Sequence, residues 1–394
     1  MKHVLIIAYN RIDYLNRLIR SLRNQKSYTS DYKLWFVIDY SEIQSEIIEC
    51  ITNSNLEFEF EIIARDVNYG LKKNVIESVT EIFEKIDSQQ LIYLEDDLVL
   101  SPYTFNYIEA VHRAKLDLDR LFGISLYAQT KNEWNGFYLN FTNYNSFFAA
   151  TLPASWGSIF FKNKWSLFRN ALDATYGYAL PEDSNHELPL LSWSDTNSWK
   201  KELLKFCVVQ DLFTLYPKVS CVAHMGNAGT NVNILSNAFF NSTMLYTPCD
   251  FEDIDIKEID FLDIFFEYNP SFFKDVIDSA DIKNVVVDLY GLKKIKNLDS
   301  YYLTSKKCKN SKMSFGFEYG FLPSNILEKL DGNYFSLARG RDIVNKQAPF
   351  TEFFEANFSP NFKRNITAYI LLALFKKARK VLEIWFCKPN DGVN

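Results

Sequence analysis

Residues 91–102 read LIYLEDDLVLSP, and this stretch constrains the fold more than any other part of the sequence. Four apolar residues lead directly into Glu95, Asp96 and Asp97, and apolar residues resume before a closing Ser-Pro pair. A short apolar run bounded by polar residues predicts a buried strand, and Ser-Pro is typical of a helix start. The three carboxylates are therefore predicted at the end of a core strand, where open α/β sheets bind ligands.

Three acidic side chains crowded at one strand end repel one another. Two like charges repel by roughly 4 kcal/mol at about 4 Å when the effective dielectric is about 20. A divalent cation removes this repulsion, and hard oxygen ligands suit Mg²⁺ or Mn²⁺. The pattern therefore predicts a metal-diphosphate site, with a solvated acidic turn as the alternative.

The hydrophobic pattern of the first 120 residues alternates between strand and helix periods. This order predicts an α/β fold with a mostly parallel sheet and helices on both faces. No glycine-rich dinucleotide or P-loop fingerprint is present in it. The predicted strands are 4–8, 34–38, 58–63 and 91–100, and helical stripes cover 15–22, 75–86 and 105–111.

Composition bounds the class of protein. The 394 residues suffice for two domains, and a net charge of −6 argues against nucleic-acid binding. Six scattered cysteines without a CxxC pair suit reduced thiols. No signal peptide and no run of about 20 apolar residues is recognisable, which predicts a cytoplasmic protein.

Four sequence segments together resemble the GT-A-fold glycosyltransferases. They are VLIIAYNR at 4–11, Asp39 after the second strand, NYGLKKNV at 68–75 and LIYLEDDLVLSP. The likeness is greatest to the group that contains N-acetylglucosaminyltransferase I and related bacterial surface-glycan transferases. It implies a GT-A (Rossmann-like) fold over 1–248, a nucleotide-diphosphate-sugar donor, a divalent metal (Mn²⁺ or Mg²⁺) and transfer to an acceptor hydroxyl.

The same resemblance implies roles for individual residues. Asp97 would ligate the metal, and Asp39 would contact the nucleotide base, with an ordinary strand-end cap as the alternative for Asp39. Arg11 would line the nucleotide pocket or simply start a helix. The remaining implied donor-binding residues are Glu95 and Asp96, at the ribose or sugar, and Ala8 and Asn10, in the turn after the first strand.

The acceptor half carries further candidates by the same resemblance. Trp156 and Gly157 match a donor-binding Trp-Gly segment, although a buried core tryptophan is the alternative. Asp195 matches the catalytic carboxylate and would act as general base in an inverting displacement; an acid in the first turn of a helix is the alternative. Asp211 is a second candidate base.

One departure from the family pattern concerns the closing loop. That loop commonly ends in Thr-His or Ser-His, but Asn231 stands at this position. His224, a few residues earlier, is interpreted as a strand residue. The departure keeps open a non-catalytic sugar-nucleotide-binding or scaffold protein; a nucleotidyltransferase is a further alternative.

The region 249–394 is predicted to be a smaller accessory α/β or helical domain, because an acid-rich stretch marks its start. Its end, 363–388, combines basic residues with apolar and tryptophan side chains. This composition is typical of an interfacial helix on an anionic membrane, beside a glycan or lipid-linked acceptor. A helix packed on the protein itself, or a dimer contact, is the alternative.

Overall fold

A computed structural model describes residues 1–26, 30–114, 119–139, 141, 146–173, 198–225, 242–248, 259–278, 282 and 284–344. The first part alternates strands and helices: β1 (Lys2–Ala8), α1 (Ile12–Arg23), β2 (Tyr32–Ile38), α2 (Gln44–Thr52), β3 (Glu59–Ala64), α3 (Gly70–Lys85), β4 (Gln90–Glu95), β5 (Leu98–Leu100) and α4 (Thr104–Arg113). The middle part contains β6 (Leu121–Ser125), β7 (Phe147–Ala150), β8 (Ser158–Phe161), α5 (Lys162–Asp173), α6 (Trp199–Val209), β9 (Phe213–Pro217) and β10 (Val222–His224). The last part contains β11 (Phe261–Leu262), β12 (Val285–Asp288), β13 (Tyr301–Thr304), β14 (Met313–Phe315), α7 (Leu322–Leu327) and β15 (Phe335–Arg339).

The large sheet has the strand order β11-β7-β9-β6-β8-β4-β1-β2-β3. Strands β1 to β4 run parallel, β8 is antiparallel to both β4 and β6, and β6 pairs in parallel with β9. The predicted mostly parallel sheet is thus confirmed. Ile7 pairs with Glu95 and Ala8 with Ile38, so β1, β2 and β4 end at the same edge.

Helices cover both faces of this sheet, as predicted. Alternate side chains of β1 point to opposite faces: Val4 and Ile6 pack in the core with α1, α2 and α4, whereas Leu5 and Ile7 pack with α3, α5 and α6. This division follows from the period of two in a strand. Both cores are required because a parallel sheet is buried on its two faces.

The C-terminal region forms a separate four-stranded sheet, in the order β12-β13-β15-β14. The boundary at 248/249 stays a prediction; beyond it, β11 pairs in parallel with β7 of the large sheet. A third apolar cluster joins Phe148 and Tyr216 of the large sheet to Leu303 and Phe335 of the small one. Within the described ranges, no helix is long and apolar enough to cross a membrane.

Two helix starts differ from those predicted. The helix after Ser101 begins at Thr104, because Pro102 and Tyr103 form a turn in which Ser101 Oγ accepts a hydrogen bond from the Tyr103 N–H. The N-cap of α6 is Ser198, whose hydroxyl accepts from the Lys201 N–H at 3.2 Å. Asp195, for which the first turn of a helix was the alternative interpretation, lies outside the described residues.

Candidate functional site

The predicted acidic residues meet at the carboxyl edge of the large sheet. The Asp96 N–H donates to the Ile7 carbonyl at 3.0 Å, and the Asp39 N–H donates to the Ala8 carbonyl at 2.9 Å. These bonds continue the β1–β4 and β1–β2 ladders by one residue beyond the paired strands. Asp39, Asp96 and Asp97 are all buried. The parallel topology therefore brings together the strand ends that the sequence analysis selected.

Arg11 links the two aspartates of the acidic trio. Its guanidinium lies 2.5 Å from Asp96 Oδ1 and 3.0 Å from Asp97 Oδ2, and the Tyr9 N–H donates to Asp96 Oδ2 at 3.3 Å. Arg11 thus supplies the positive charge that the sequence analysis assigned to a metal ion. Charge-assisted bonds of this kind are stronger than neutral ones, so the arginine holds both carboxylates in place.

His224 completes this cluster, and sequence reasoning missed it. Strand β10 pairs antiparallel with β5, which places His224 opposite Leu98 and lets the Met225 N–H donate to the Asp97 carbonyl at 3.0 Å. His224 Nε2 consequently lies 3.1 Å from Asp97 Oδ2. The pairing involves two three-residue strands, and sequence periodicity carries almost no signal for strands this short.

Two buried polar atoms of this cluster have no hydrogen-bond partner among the residues that the structure describes: Asp97 Oδ1 and His224 Nδ1. A buried donor or acceptor without a partner costs about 1–3 kcal/mol. Most buried polar groups in proteins are therefore paired, and exceptions are frequent at functional sites. Both atoms are therefore candidates for contact with a bound ligand.

The three acidic residues have different proton affinities. Burial, followed by the charge of Asp97, raises the pKa of Glu95 to about 8. Burial also raises the pKa of Asp96 to about 6, although Arg11 opposes this. For Asp97, burial is outweighed by the contacts with His224 and Arg11, which lower its pKa below the ordinary value. Asp97 is therefore the carboxylate of the trio that is held ionised most firmly.

Asp39 contacts the start of α3. Its Oδ1 accepts a hydrogen bond from the Tyr69 N–H at 2.8 Å, and its Oδ2 accepts from the Gly70 N–H at 2.9 Å. A carboxylate at this position satisfies N–H groups at a helix start and is favoured by the helix dipole. The structure thus gives Asp39 a capping role; contact with a nucleotide base stays a prediction.

The Trp-Gly segment lies against His224. The Trp156 ring stacks on the imidazole with 4.8 Å between ring centroids and an interplanar angle of 24°. Gly157 has φ +77°, and a Cβ there would lie 3.1 Å from Leu126 Cβ, so the backbone and its packing both require glycine. The segment therefore orients His224. Ala8, the last residue of β1, is buried, and Asn10, in the turn after β1, is exposed.

The structure describes only one of the two candidate bases. Asp195 lies outside the described residues, so its role stays a prediction. Asp211 precedes β9 and therefore lies at the amino end of a strand parallel to β4, on the opposite edge from Asp97. Its side chain is 75% exposed and pairs with Arg120 at 2.9 Å. The structure does not bring Asp211 into the site, which corrects its assignment as second candidate base.

The fold and the site define an α/β domain with a charged ligand site at the carboxyl edge of its sheet. Residues 3–119 match the family model described as Glycosyl transferase family 2. This match confirms the glycosyltransferase resemblance, over residues 3–119 of the chain. The narrower grouping with N-acetylglucosaminyltransferase I is not confirmed by the match. A search of curated proteins found no match.

Parts of several solved glycosyltransferase structures are similar to part of this chain. S. aureus TarS 1-349 is 14% identical with a TM-score of 0.36, and the match covers 56% of this chain and 60% of that one. The mannosyltransferase PcManGT from Pyrobaculum calidifontis, in complex with GDP-Man and Mn²⁺, is 10% identical with a TM-score of 0.37, covering 58% of each chain. GlyE of Streptococcus pneumoniae TIGR4 is 12% identical with a TM-score of 0.32, covering 54% and 45%.

Proposed function

We propose that the protein transfers a sugar from a nucleoside-diphosphate donor to a hydroxyl of a surface or lipid-linked glycan. The observation that carries this proposal is the pair of buried, unpartnered atoms on Asp97 and His224, in a chain whose residues 3–119 match the family 2 glycosyltransferase model. The site lies at the carboxyl edge of the sheet, where α/β proteins bind nucleotides.

A divalent metal fits this site when the donor supplies the remaining ligands. Among the described residues, no three His, Cys, Asp or Glu side chains converge as a complete metal site. Asp97 Oδ1 and one imidazole nitrogen of His224 are a carboxylate–imidazole pair, and Mg²⁺ or Mn²⁺ commonly binds to one or two carboxylates together with substrate phosphates. Such an ion would act as a Lewis acid on the departing diphosphate.

The chain's own charged residues would orient the donor. Arg11 is long enough to leave Asp96 and Asp97 for the diphosphate, to which guanidinium groups bind well. Asp97 and His224 would then be free to hold the ion, and Trp156 would keep the imidazole in place. Positioned charges of this kind stabilise the negative charge that develops on the leaving group. Asp195 remains the proposed base for the acceptor hydroxyl.

Asp97→Asn tests this function. We expect the change to reduce metal-dependent release of nucleoside diphosphate from a nucleotide sugar by about a hundredfold or more, because one charge of the site is removed. A panel of nucleotide sugars is incubated with Mn²⁺ or with EDTA, and the released diphosphate is measured. Asp278→Asn is the matched control, because the Asp278 side chain is 83% exposed.

One observation favours a second candidate function. Arg11 already neutralises both aspartates, as it would in a protein that binds sugar nucleotides without turnover. In that case the wild type binds a donor tightly, and no free diphosphate forms under any metal condition. Release of pyrophosphate from a nucleoside triphosphate would instead indicate a nucleotidyltransferase.

In this proposal, the acceptor determines where in the cell the protein acts. A lipid-linked acceptor would be reached from the cytoplasmic face of a membrane, with 363–388 as the peripheral contact. That segment lies outside the described residues. Its membrane contact stays a prediction from composition, which co-sedimentation of the full chain with anionic vesicles would check.

A further inference from the structure

The small C-terminal sheet has a polar row that crosses all four of its strands. Asp288 of β12 pairs with Thr304 of β13, Thr304 pairs with Ser336 of β15, and Ser336 pairs with Ser314 of β14. Side chains of directly paired residues lie on the same face of a sheet. Three short hydroxyl side chains therefore follow one another across this face.

The other face of the same sheet is apolar. Leu303, Leu337, Phe315 and Phe335 alternate with the polar row and are buried in the C-terminal core. Packing therefore explains the apolar face of the sheet. On the polar face, Thr304 is bonded to Asp288, whereas Ser314 and Ser336 are not part of the apolar core.

A cleft of about 820 Å³ opens beside the polar row. Its lining includes the hydroxyl and amide side chains of Ser305, Ser311, Ser314, Ser336 and Asn333. Hydroxyl and amide groups both donate and accept hydrogen bonds. This volume lies within the range of small-molecule binding sites.

Two aromatic rings stand at one side of the cleft. Phe317 and Tyr334 both line it, and their rings are stacked with 4.8 Å between centroids. Both side chains are half-buried. An aromatic ring offers an apolar face and, for tyrosine, a polar tip. A flat apolar face next to hydroxyl groups suits a sugar ring, whose C–H and O–H groups lie on different sides.

The charges at the cleft are balanced. Lys307 and Asp331 contribute one charge of each sign, while Lys306 Nζ is held 2.9 Å from Asp288 Oδ2. A phosphate or nucleic-acid site would need an excess of positive charge. The lining therefore suits an uncharged, hydroxyl-rich ligand better than an anion.

Close backbone contact makes the wall of the cleft rigid. A Cβ on Gly332, which has φ +154°, would lie 2.5 Å from Gly316 Cα. A Cβ on Gly316 would lie 2.4 Å from the Asp331 carbonyl oxygen. Only glycine fits at these two positions, so the loop before β15 is packed directly on the end of β14.

We propose that this cleft is a binding site for a neutral segment of a glycan chain, held by hydrogen bonds to the serine and asparagine side chains and by contact with the Phe317–Tyr334 pair. Its description as the site for the acceptor glycan rests on the proposed glycosyltransferase function. The cleft lies on the C-terminal sheet, outside the strand ends that carry Asp97. It would therefore hold a part of the acceptor away from the reacting hydroxyl.

The test measures glycan binding directly. Labelled full-length protein is applied to immobilised oligosaccharides of four or more residues, built from glucose, galactose, mannose or N-acetylhexosamine. We expect the wild type to be retained on at least one series. Ser314→Trp, which fills the cleft from the edge strand, should lower this binding at least tenfold, and Asn333→Ala should lower it severalfold. Ser166→Trp, on the exposed face of α5, is the matched control and should bind as the wild type does.

Two outcomes would overturn the proposal. One is that the wild type is not retained on any series. The other is that Ser314→Trp and Asn333→Ala are both retained as strongly as the wild type. Asn333 is exposed, so its variant keeps the test valid if Ser314→Trp fails to fold. Donor hydrolysis by the wild type is measured in parallel. Glycan binding without donor hydrolysis would reject the proposed function and keep the cleft, whereas the reverse result would reject the cleft alone.

Discussion

Two buried clusters of charged residues lie in different parts of this molecule, and they differ in how completely they are satisfied. The edge cluster consists of Arg11, Asp96, Asp97 and His224. The C-terminal cluster consists of Asp288, Thr304, Lys293 and Lys306. Both contain carboxylates that are almost inaccessible to solvent.

The C-terminal cluster is closed. Asp288 Oδ1 accepts from the Lys293 N–H at 2.8 Å, and Oδ2 accepts from Thr304 Oγ1 at 3.1 Å and from Lys306 Nζ at 2.9 Å. Lys306 also donates to the Lys293 carbonyl. In the described part of the chain, none of the unpartnered buried side-chain atoms belongs to this cluster.

The edge cluster is open, since Asp97 Oδ1 and His224 Nδ1 have no partner within the described part of the chain. A closed network of charges stabilises one arrangement of the chain, whereas an open network leaves interaction energy for a ligand. Burial of charge therefore does not by itself indicate a ligand site. Unpaired atoms within the buried charge distinguish the edge cluster from the C-terminal cluster.

The largest effect is expected at the closed cluster. Asp288→Ala leaves Lys306 buried without its carboxylate, which should lower the free energy of unfolding by about 3–5 kcal/mol. Urea denaturation measures this loss. Asp97→Ala should lower the free energy of unfolding by clearly less, because this change also removes Oδ1, which has no partner among the described residues. Equal losses for the two variants would contradict the distinction between the clusters, and Asp299→Ala, at a side chain 74% exposed, is the control.

His224→Phe tests the open cluster through activity. Phenylalanine keeps a ring to stack on Trp156 but removes both nitrogens, so we expect donor turnover to fall by at least about tenfold. The measurement is metal-dependent diphosphate release, with thermal melting as a check on folding. Unchanged turnover would mean that His224 only packs against Trp156. His112→Phe, in α4, is the matched control.

Glu95→Gln tests the charge crowding of the edge. Because burial raises the pKa of Glu95 to about 8, the folded chain keeps a proton that the unfolded chain releases near pH 4. The contribution of Glu95 to the free energy of unfolding is therefore fully present below pH 4 and is lost as pH rises through about 8. We expect the wild type to lose about 1 kcal/mol or more between pH 5 and 9 relative to the variant. Parallel urea titrations at several pH values compare the two slopes, and identical slopes would contradict the prediction.

The smallest effect is expected at an ion pair outside both clusters. Glu109 accepts hydrogen bonds from Lys2 Nζ and from the Tyr32 hydroxyl, both at 2.5 Å. Burial raises its pKa, but these two partners outweigh burial and lower the pKa below the ordinary value. Glu109→Gln should cost about 1 kcal/mol or less, since the side chain is 30% exposed.

The pH dependence of stability at Glu109 has the opposite sign to the pH dependence at Glu95. The contribution of Glu109 is present above the unfolded pKa of about 4.3 and is lost as pH falls through the lower folded value. Denaturation at pH 7 and at pH 3 distinguishes the two cases. A difference between wild type and variant that persists at pH 3 would argue against the ionic origin, and Glu57→Gln, at an exposed position, is the control.

Much of the sheet could be predicted from periodicity. The strands carrying Asp39 and the acidic trio have long apolar runs, and the parallel topology then forces their carboxyl ends to one edge. The partners of the trio could not be predicted in this way. His224 reaches Asp97 through a pairing of three-residue strands, which no local pattern announces. The family pattern instead places a histidine at position 231, in the closing loop, where this chain has Asn231.

What the sequence by itself determined is the order of strands and helices and the residues at which the strands end, because hydrophobic period and turn chemistry are local properties. The tertiary structure decided which charges meet. It pairs Arg11 with both aspartates, sets His224 beside Asp97 and moves Asp211 to the opposite edge. These contacts depend on register and strand direction, which join residues more than eighty positions apart. Local sequence carries no record of such distances.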